Sequence, residues 1–303
     1  MSDGNHNEIF KFTEACKVGV PVIDAEHEHL FEFMNNVIAS FYDENRDNIS
    51  LEEYIEVLFD YGKHHFQHEE EYMKKINDPE LEHQLKAHKK FVEKISAINL
   101  HDLGDPEKDA LTIHLIEFCL EWLYDHILYS DIIIGKMRHL ADTAVEVTDE
   151  TGTHLVYCPF EDKYRTGDPV RDEEYKVIFE LLNKTYTMLK NNHSEDDYDA
   201  EKAVLDDLAV HCIYHYANQE KALHDARYPD YDAHVRAHCA FLDRLDERDD
   251  AEGMPDQRKF LVELLDYLYT WITYHITHMD KHADEFLQQY EEDKKNGKKK
   301  FVF

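Results

Sequence analysis

The 303-residue chain reads as an all-α protein built from two tandem up-down-up-down four-helix bundles, and three observations lead there. Apolar residues return every three or four positions over long stretches, which is the period of a helix that buries one face. Nine glycines and seven prolines are too few for many short strands and the turns between them. A pattern of histidines, carboxylates and a tryptophan recurs about 150 residues later, so each half has an ordinary domain size.

In the first half the periodicity predicts helices over 24–42, 50–76, 79–98 and 106–140. Ser50 suits an N-cap, with Glu53 three residues on completing a capping box. Asp78-Pro79 divides the second helix from the third, because proline is accommodated in a helix's first turn. The second half predicts helices over 172–190, 198–227, 229–246 and 255–290. Short connections between four successive helices imply the up-down-up-down arrangement. Residues 143–169 lose the helical period and contain Gly152, Pro159, Gly167 and Pro169, so they read as a linker. Its Leu155, Val156, Tyr157 and Phe160 are apolar enough to lie against one bundle, and the arm before Pro21, with Phe10, Phe12 and Val20, is expected to do the same. The division is then a bundle with its N-terminal arm over 1–142, a linker over 143–169, a second bundle over 170–292 and a basic tail over 293–303. Lys294 to Lys300 in that tail read as a frayed end.

Composition narrows the function. With 43% hydrophobic residues the chain can build a sizeable core, and a net charge of −33 argues against nucleic acid or an acidic membrane as partner. Cys16, Cys119, Cys158, Cys212 and Cys239 are widely spaced with no Cys-x-x-Cys pair, which does not make a disulfide framework. No apolar run approaches the ~20 residues that span a bilayer, and the polar start lacks a signal pattern, so the expectation is a soluble cytoplasmic protein.

The recurring pattern is a set of metal-ligand residue types. The first copy has His65, Glu69, His88, Trp122, His126 and Asp131; the second has His215, Gln219, His234, His238, Trp271, His275 and Asp280. The offset is 150 from His65 to His215 and from His88 to His238, and 149 from His126 to His275 and from Asp131 to Asp280. Residues four apart share a helix face, so His65 with Glu69, and His234 with His238, can each hold one metal centre. His126 and Asp131 are five apart, which suits one residue capping a metal and the other reaching across to a second. A mixed imidazole and carboxylate set favours iron over magnesium or calcium, with zinc and manganese open. Lone histidines such as His6, His101, His139, His154, His193 and His224 read as solvent-facing. The repeated set does not, since it would otherwise bury polar rings in two bundle interiors without compensation.

The run His65-Phe66-x-x-Glu69-Glu70-x-x-Met73, then His88-x-x-Phe91, then Trp122-Leu123-x-x-His126-Ile127-x-x-x-Asp131, preceded by Ile23-Asp24-x-Glu26-His27-x-x-Leu30-Phe31, resembles the hemerythrins, most of all the bacterial ones. The second half carries the related His215-Tyr216-x-x-Gln219-Glu220, His234-x-x-x-His238 and Trp271-Ile272-x-x-His275-Ile276-x-x-x-Asp280. The resemblance implies four-helix bundles around a non-haem di-iron centre that binds O2. It implies that His88 and His126 belong to a fully ligated iron, that His27 and His65 hold an iron with an open position, and that Glu69 and Asp131 bridge the two. Trp122 and Leu123 would form an apolar wall that keeps water from the ligand pocket. Ferritin-like bundles use Glu-x-x-His pairs instead. Glu26/His29 and Glu80/His83 have that spacing but do not recur in the second half, and read as surface coincidences.

Both copies depart from the family pattern. Four residues before His88 stands Gln84, where the second half has His234; His83 is five residues before and about 140° round an ideal helix. The position is open to His83 through a local bulge, to the Gln84 amide oxygen, or to water. In the second half Tyr175 matches His27 and Gln219 matches Glu69. This allows either a mononuclear or metal-poor site, or a di-iron site completed by a Tyr175 phenolate or by Glu220.

The leading expectation is reversible O2 binding for carriage, storage or sensing, with any protein partner unidentified. Alternatives are an O2-activating or peroxide-consuming di-iron enzyme, suggested by the departures that free coordination sites, and an iron store, for which no acidic channel is evident.

Overall fold

In a computed structural model of the chain, residues 10–13, 16–42, 51–97, 105–150, 152–191, 198–251, 254 and 256–295 are described. Ser50, and with it the expected capping box, lies outside them, as do His6, His101 and His193. The chain divides into two units, 1–136 and 137–303.

In the first unit the helices are α1 (Pro21–Tyr42), α2 (Leu51–Ile76), α3 (Leu81–Ser96) and α4 (Asp105–Tyr129). Each buries one stripe. On α1 it is Ile23, His27, Leu30, Phe31, Met34 and Val37, and on α3 it is Gln84, His88, Phe91 and Ile95. The histidines therefore lie on the same faces as the core residues, and the helical period that buries the apolar side chains buries them too. The N-terminal arm packs on this core: Phe12 meets Phe31 edge-on at 5.5 Å, and Phe10 exchanges backbone bonds with the Asn35 amide at 3.0 and 2.7 Å.

α2 ends in a Schellman motif, with Asp78 N–H on Met73 O at 2.9 Å, Asn77 N–H on Lys74 O at 3.3 Å and Asn77 at φ +54°. Pro79 then blocks continuation, as expected. In the second unit α6 (Tyr198–Ala226) ends the same way, with Tyr228 N–H on Leu223 O at 2.9 Å and Arg227 at φ +57°.

α4 does not run to residue 140. It stops at Tyr129 and gives way to one 3-10 turn over Asp131–Ile133. Ile132, Ile133 and Ile134 are all buried in this turned segment. Gly135, at φ +70°, then donates its N–H to Asp78 Oδ2 at 2.8 Å.

The second unit opens with a segment held to its last long helix by Arg138 N–H on Thr270 Oγ1 at 2.9 Å and Leu140 N–H on Asp266 Oδ1 at 2.8 Å. Strands β1 (Val145–Asp149) and β2 (Gly152–Val156) pair antiparallel, with Val145 opposite Val156 and Asp149 opposite Gly152, as a largely exposed hairpin. After it, Phe160 meets Phe179 edge-on at 5.4 Å, and Thr166 N–H caps onto Asp172 at 2.7 Å. Phe12 on Phe31 and Val18 N–H on Asp24 at 2.7 Å are the same contacts 148 residues earlier. The stretch read as a linker is thus a hairpin followed by a second copy of the N-terminal arm.

The bundle of the second unit comprises α5 (Pro169–Asn191), α6 (Tyr198–Ala226), α7 (Tyr231–Asp246), α8 (Gln257–His275), a π turn over Ile276–Asp280 and α9 (Lys281–Lys295). α5 packs on α6 and α8, and α7 on α6 and α8, closing the ring. Here the fourth helix does continue, the π turn joining α8 to α9. Lys294 and Lys295 of the basic tail belong to α9. Among the described residues no helix is long and apolar enough to cross a membrane.

Asp78 ties the α2–α3 turn to the chain after α4, accepting from Glu80 N–H at 3.0 Å as well as from Gly135. Asp78→Ala leaves both donors without their acceptor and is expected to lower the unfolding free energy of the first unit by about 2 kcal/mol. Chemical denaturation followed by helix signal checks this; an unchanged midpoint would show that the tie contributes nothing.

Candidate metal centres

The first unit brings His27 from α1, His65 and Glu69 from α2, His88 from α3, His126 from α4 and Asp131 from the turn after α4 into one buried cluster. Glu69 Oε1 lies 3.3 Å from His27 Nε2 and 3.4 Å from His65 Nε2, and its Oε2 lies 3.5 Å from His88 Nε2. Asp131 Oδ2 lies 3.6 Å from His27 Nε2, and its Oδ1 lies 3.1 Å from His126 Nε2. Each carboxylate therefore turns one oxygen to one pair of imidazoles and the other oxygen to the second pair. Two sets of converging ligand atoms result, His27, His65, Glu69, Asp131 and Glu69, His88, His126, Asp131, with both carboxylates in common.

The electrostatics of the cluster call for added positive charge. Burial pushes Glu69 up to about 7, and Glu26 and Glu70 add to the rise while His65 opposes it. Asp131 is held well above the usual carboxylate range by burial and then by the Glu69 charge. Burial lowers His27 to about 4 and His88 to about 3, and carries His126 well below its ordinary value, so these rings are neutral near pH 7 with lone pairs available. Glu69 Oε2, Asp131 Oδ2 and His65 Nε2 are buried without a hydrogen bond, an arrangement that is costly unless a cation takes up those lone pairs. The residues fit a pair of metal ions.

Carboxylates on the outer side orient the rings. His65 Nδ1 donates to Glu26 at 3.0 Å and His88 Nδ1 to Glu70 at 3.1 Å. A carboxylate only accepts, so each bond places the proton on Nδ1 and turns the Nε2 lone pair inward. The second unit repeats this with His215 on Glu174 at 2.7 Å and His238 on Glu220 at 2.8 Å. Sequence reading did not give these glutamates this role, quoting Glu26 and Glu70 within the motif and offering Glu220 as a metal ligand, although Glu26/Glu174 and Glu70/Glu220 recur at offsets of 148 and 150. Glu26 serves His65 and His68, while His29 pairs with Glu32 on the surface. Phe66 stacks on His88 at 4.0 Å, and Trp122 stacks on His126 at 4.4 Å; Leu123 is buried in the adjoining core.

His83 is not brought into the cluster. α3 has no bulge, and His83 lies partly exposed beside Glu80 at 3.9 Å. Gln84 occupies the interior instead, its amide donating to Asp131 Oδ1 at 3.0 Å while its Oε1 has no hydrogen bond. His139, His154 and His224 lie on the surface.

In the second unit His234, His238, His275 and Asp280 converge, all buried, with Asp280 Oδ1 at 3.3 Å from His234 Nε2 and 3.2 Å from His275 Nε2. His275 and Asp280 are brought together by the π turn, whose wider winding stacks residues five apart. Trp271 stacks on His275 at 4.5 Å. Tyr175 meets His215 edge-on with ring centroids 4.8 Å apart, as His27 meets His65 at 4.8 Å, so it stands in the place of that histidine. Its hydroxyl donates to Asp280 Oδ2 at 2.6 Å. Gln219 donates to Asp280 Oδ1 at 2.7 Å, and its Oε1 lies 3.1 Å from His234 Nε2. Glu220 stays on the outer side of His238 and does not enter the group. Asp280 sits well below the usual carboxylate range: burial alone would raise it, but His275 and His234 outweigh that.

Helical bundles with imidazoles and carboxylates from facing helices aimed at a common interior point are metal-binding proteins. The sequence profile described as "Hemerythrin HHE cation binding domain" matches residues 18–137. The chain is 30% identical over 122 residues to a bacteriohemerythrin of Clostridium acetobutylicum, a match covering 40% of this chain and 95% of that one. It is 26% identical over 140 residues to a bacteriohemerythrin of Pseudomonas aeruginosa, covering 44% of this chain and 85% of that one. A hemerythrin-like protein of Naegleria gruberi is 29% identical over 123 residues, with 41% and 88% covered. No solved structure matches. The chain belongs to the hemerythrin family.

Two tests apply to the first unit. Glu70→Ala removes the acceptor that orients His88 and is expected to weaken metal retention about 10- to 100-fold against a competing chelator, without loss of helix signal; equal retention would mean that Glu70 does not act on the metal. Because metal displaces the proton from Glu69, whose value is about 7 without metal, uptake should release protons and weaken progressively as pH falls below about 7. Metal titrations at several pH values check this; an affinity unchanged between mildly alkaline and mildly acidic pH would contradict it.

Proposed function

We propose that the first unit holds two iron ions, which when bound supply reversible O2 binding, and that the protein carries, stores or senses O2. One observation supports this above the others: both buried carboxylates face two separate imidazole pairs, as a shared ligand of two ions must. In this reading His27 and His65 hold one ion, His88 and His126 hold the other, and Glu69 and Asp131 serve both.

The remaining residues prepare the pocket. Glu26 and Glu70 keep His65 and His88 in the tautomer that presents Nε2. Phe66, Trp122 and Leu123 cover the His88 and His126 side with apolar surface and keep bulk water out. Gln84 stands where a third imidazole would complete that ion's shell. Its amide nitrogen donates to Asp131 and its buried Oε1 is unbonded, so each ion has two imidazoles from the protein and the Gln84 oxygen lies beside them. Both positions therefore retain room for a small ligand or water.

His65→Ala removes one of the two imidazoles on the α1 side. In the iron-loaded chain cycled between air and argon, the wild type is expected to show a reversible spectral change and the variant none. A variant that cycles like the wild type would refute the assignment, and steady O2 consumption by the wild type without recovery under argon would move the reading to an oxidising enzyme.

A further inference from the structure

We infer that the second unit is a mononuclear site: one divalent first-row transition ion held by His234, His238, His275 and Asp280, with Tyr175 and Gln219 occupying by hydrogen bonds the position of a second ion. This goes beyond the O2-binding reading of the first unit and does not depend on it.

Geometry provides the first argument. His234 and His238 project from one face of α7, His275 closes α8, and Asp280 closes the π turn. Their rings face one another in a triangle with centroids 4.6 to 5.1 Å apart, and His238 Nε2 is buried without a hydrogen bond. Three imidazoles and a carboxylate make a closed four-ligand set of the kind zinc or iron(II) accepts. Among the described residues this is the one converging set in the unit, whereas the first unit has two that share both carboxylates.

The second argument is what fills the other position. His215 remains there, its Nε2 buried and unbonded, but its neighbours are not donors to a cation. The Tyr175 hydroxyl points its proton at Asp280 Oδ2, and the Gln219 amide points its own at Oδ1. Both oxygens of Asp280 therefore already accept a hydrogen bond from the α5 and α6 side. The first unit differs at these two places. There His27 and Glu69 leave carboxylate oxygens without hydrogen bonds.

Charge decides between one ion and two. Two divalent ions would bring four positive charges beside one interior carboxylate, Asp280, with Glu174 and Glu220 on the outer side of the rings, and an excess of that size in a sealed interior carries a large desolvation cost. One ion leaves an excess of a single charge. Because four protein donors close its shell, the ion acts as a clamp joining α7 to the α8–α9 turn, not as an O2 site.

The test counts metal in the full chain. His65→Ala combined with His126→Ala disables the first unit, and this background is loaded with iron(II) or zinc, desalted and analysed for bound metal, with helix content checked by circular dichroism. The expected result is one ion per chain, lost when His238→Ala is added and kept when His215→Ala is added. It should also leave the spectrum of the iron-loaded background unchanged between air and argon. Two ions, none, or one that depends on His215 and not on His238 would overturn the proposal, as would an air-sensitive reversible spectrum. Should His238→Ala lose helix content, Tyr175→His with Gln219→Glu replaces it: restoring an imidazole and a carboxylate is expected to raise the count to two, and a count that stays at one would refute the roles given to Tyr175 and Gln219. A first unit that binds nothing would show as equal counts in wild type and background, which sinks the two-iron reading and leaves this one standing.

Discussion

Two ionisable carboxylates, Glu69 and Asp131, lie wholly buried within reach of the same four imidazoles, and the first unit is arranged around that arrangement's cost. Without compensation each carboxylate destabilises the other, and burial disfavours both charges. A cation between them reverses the sign, since the charges that oppose folding of the empty site become ligands. His27, His88 and His126 are kept neutral by the same burial, so they do not supply that charge themselves. The surroundings of the cluster are consistent with this division of labour. Apolar stripes on the four helices seal it, and the partly exposed rim glutamates fix the ring tautomers.

The second unit keeps the scaffold and changes the electrostatics. Its rim glutamates, its stacked tryptophan and its histidine on α6 match those of the first unit, although Gln219 stands where the first unit has Glu69. With Gln219 and Tyr175 in place, the interior carboxylate is satisfied by neutral donors. A buried polar network that closes on itself costs far less than one left open. The two bundles thus share packing and differ in how much positive charge they call for.

The same five-residue spacing is accommodated in two ways. Between His126 and Asp131 the helix ends and a 3-10 turn carries the aspartate inward; between His275 and Asp280 the helix widens into a π turn and resumes. Residues five apart diverge on an ideal helix, so sequence spacing alone suggested that the aspartate reaches across to a second metal. In the structure Asp131 turns Oδ2 toward His27 and Oδ1 toward His126. The residues just after each aspartate differ as well. Ile132, Ile133 and Ile134 are all buried, whereas Lys281, His282 and Asp284 onward resume a one-sided pattern that a helix can satisfy.

Helix positions, the doubling of the chain and the burial of His65, His88, His126 and their counterparts were legible in the sequence because they depend on the period of one helix at a time. A face is a local property, and a repeat is a comparison of two stretches. The same rule turned His83 about 140° away from His88 but left a rescuing bulge open; α3 has none, and Gln84 lies inside. Other features needed the tertiary structure. That Glu26 turns to His65 and not to His29, that Tyr175 reaches Asp280, and that residues after the hairpin form a second arm on α5 each depend on an atom contributed by another helix or a distant segment. Hydrogen bonds act over about 3 Å, and which groups come that close is settled only when the helices pack.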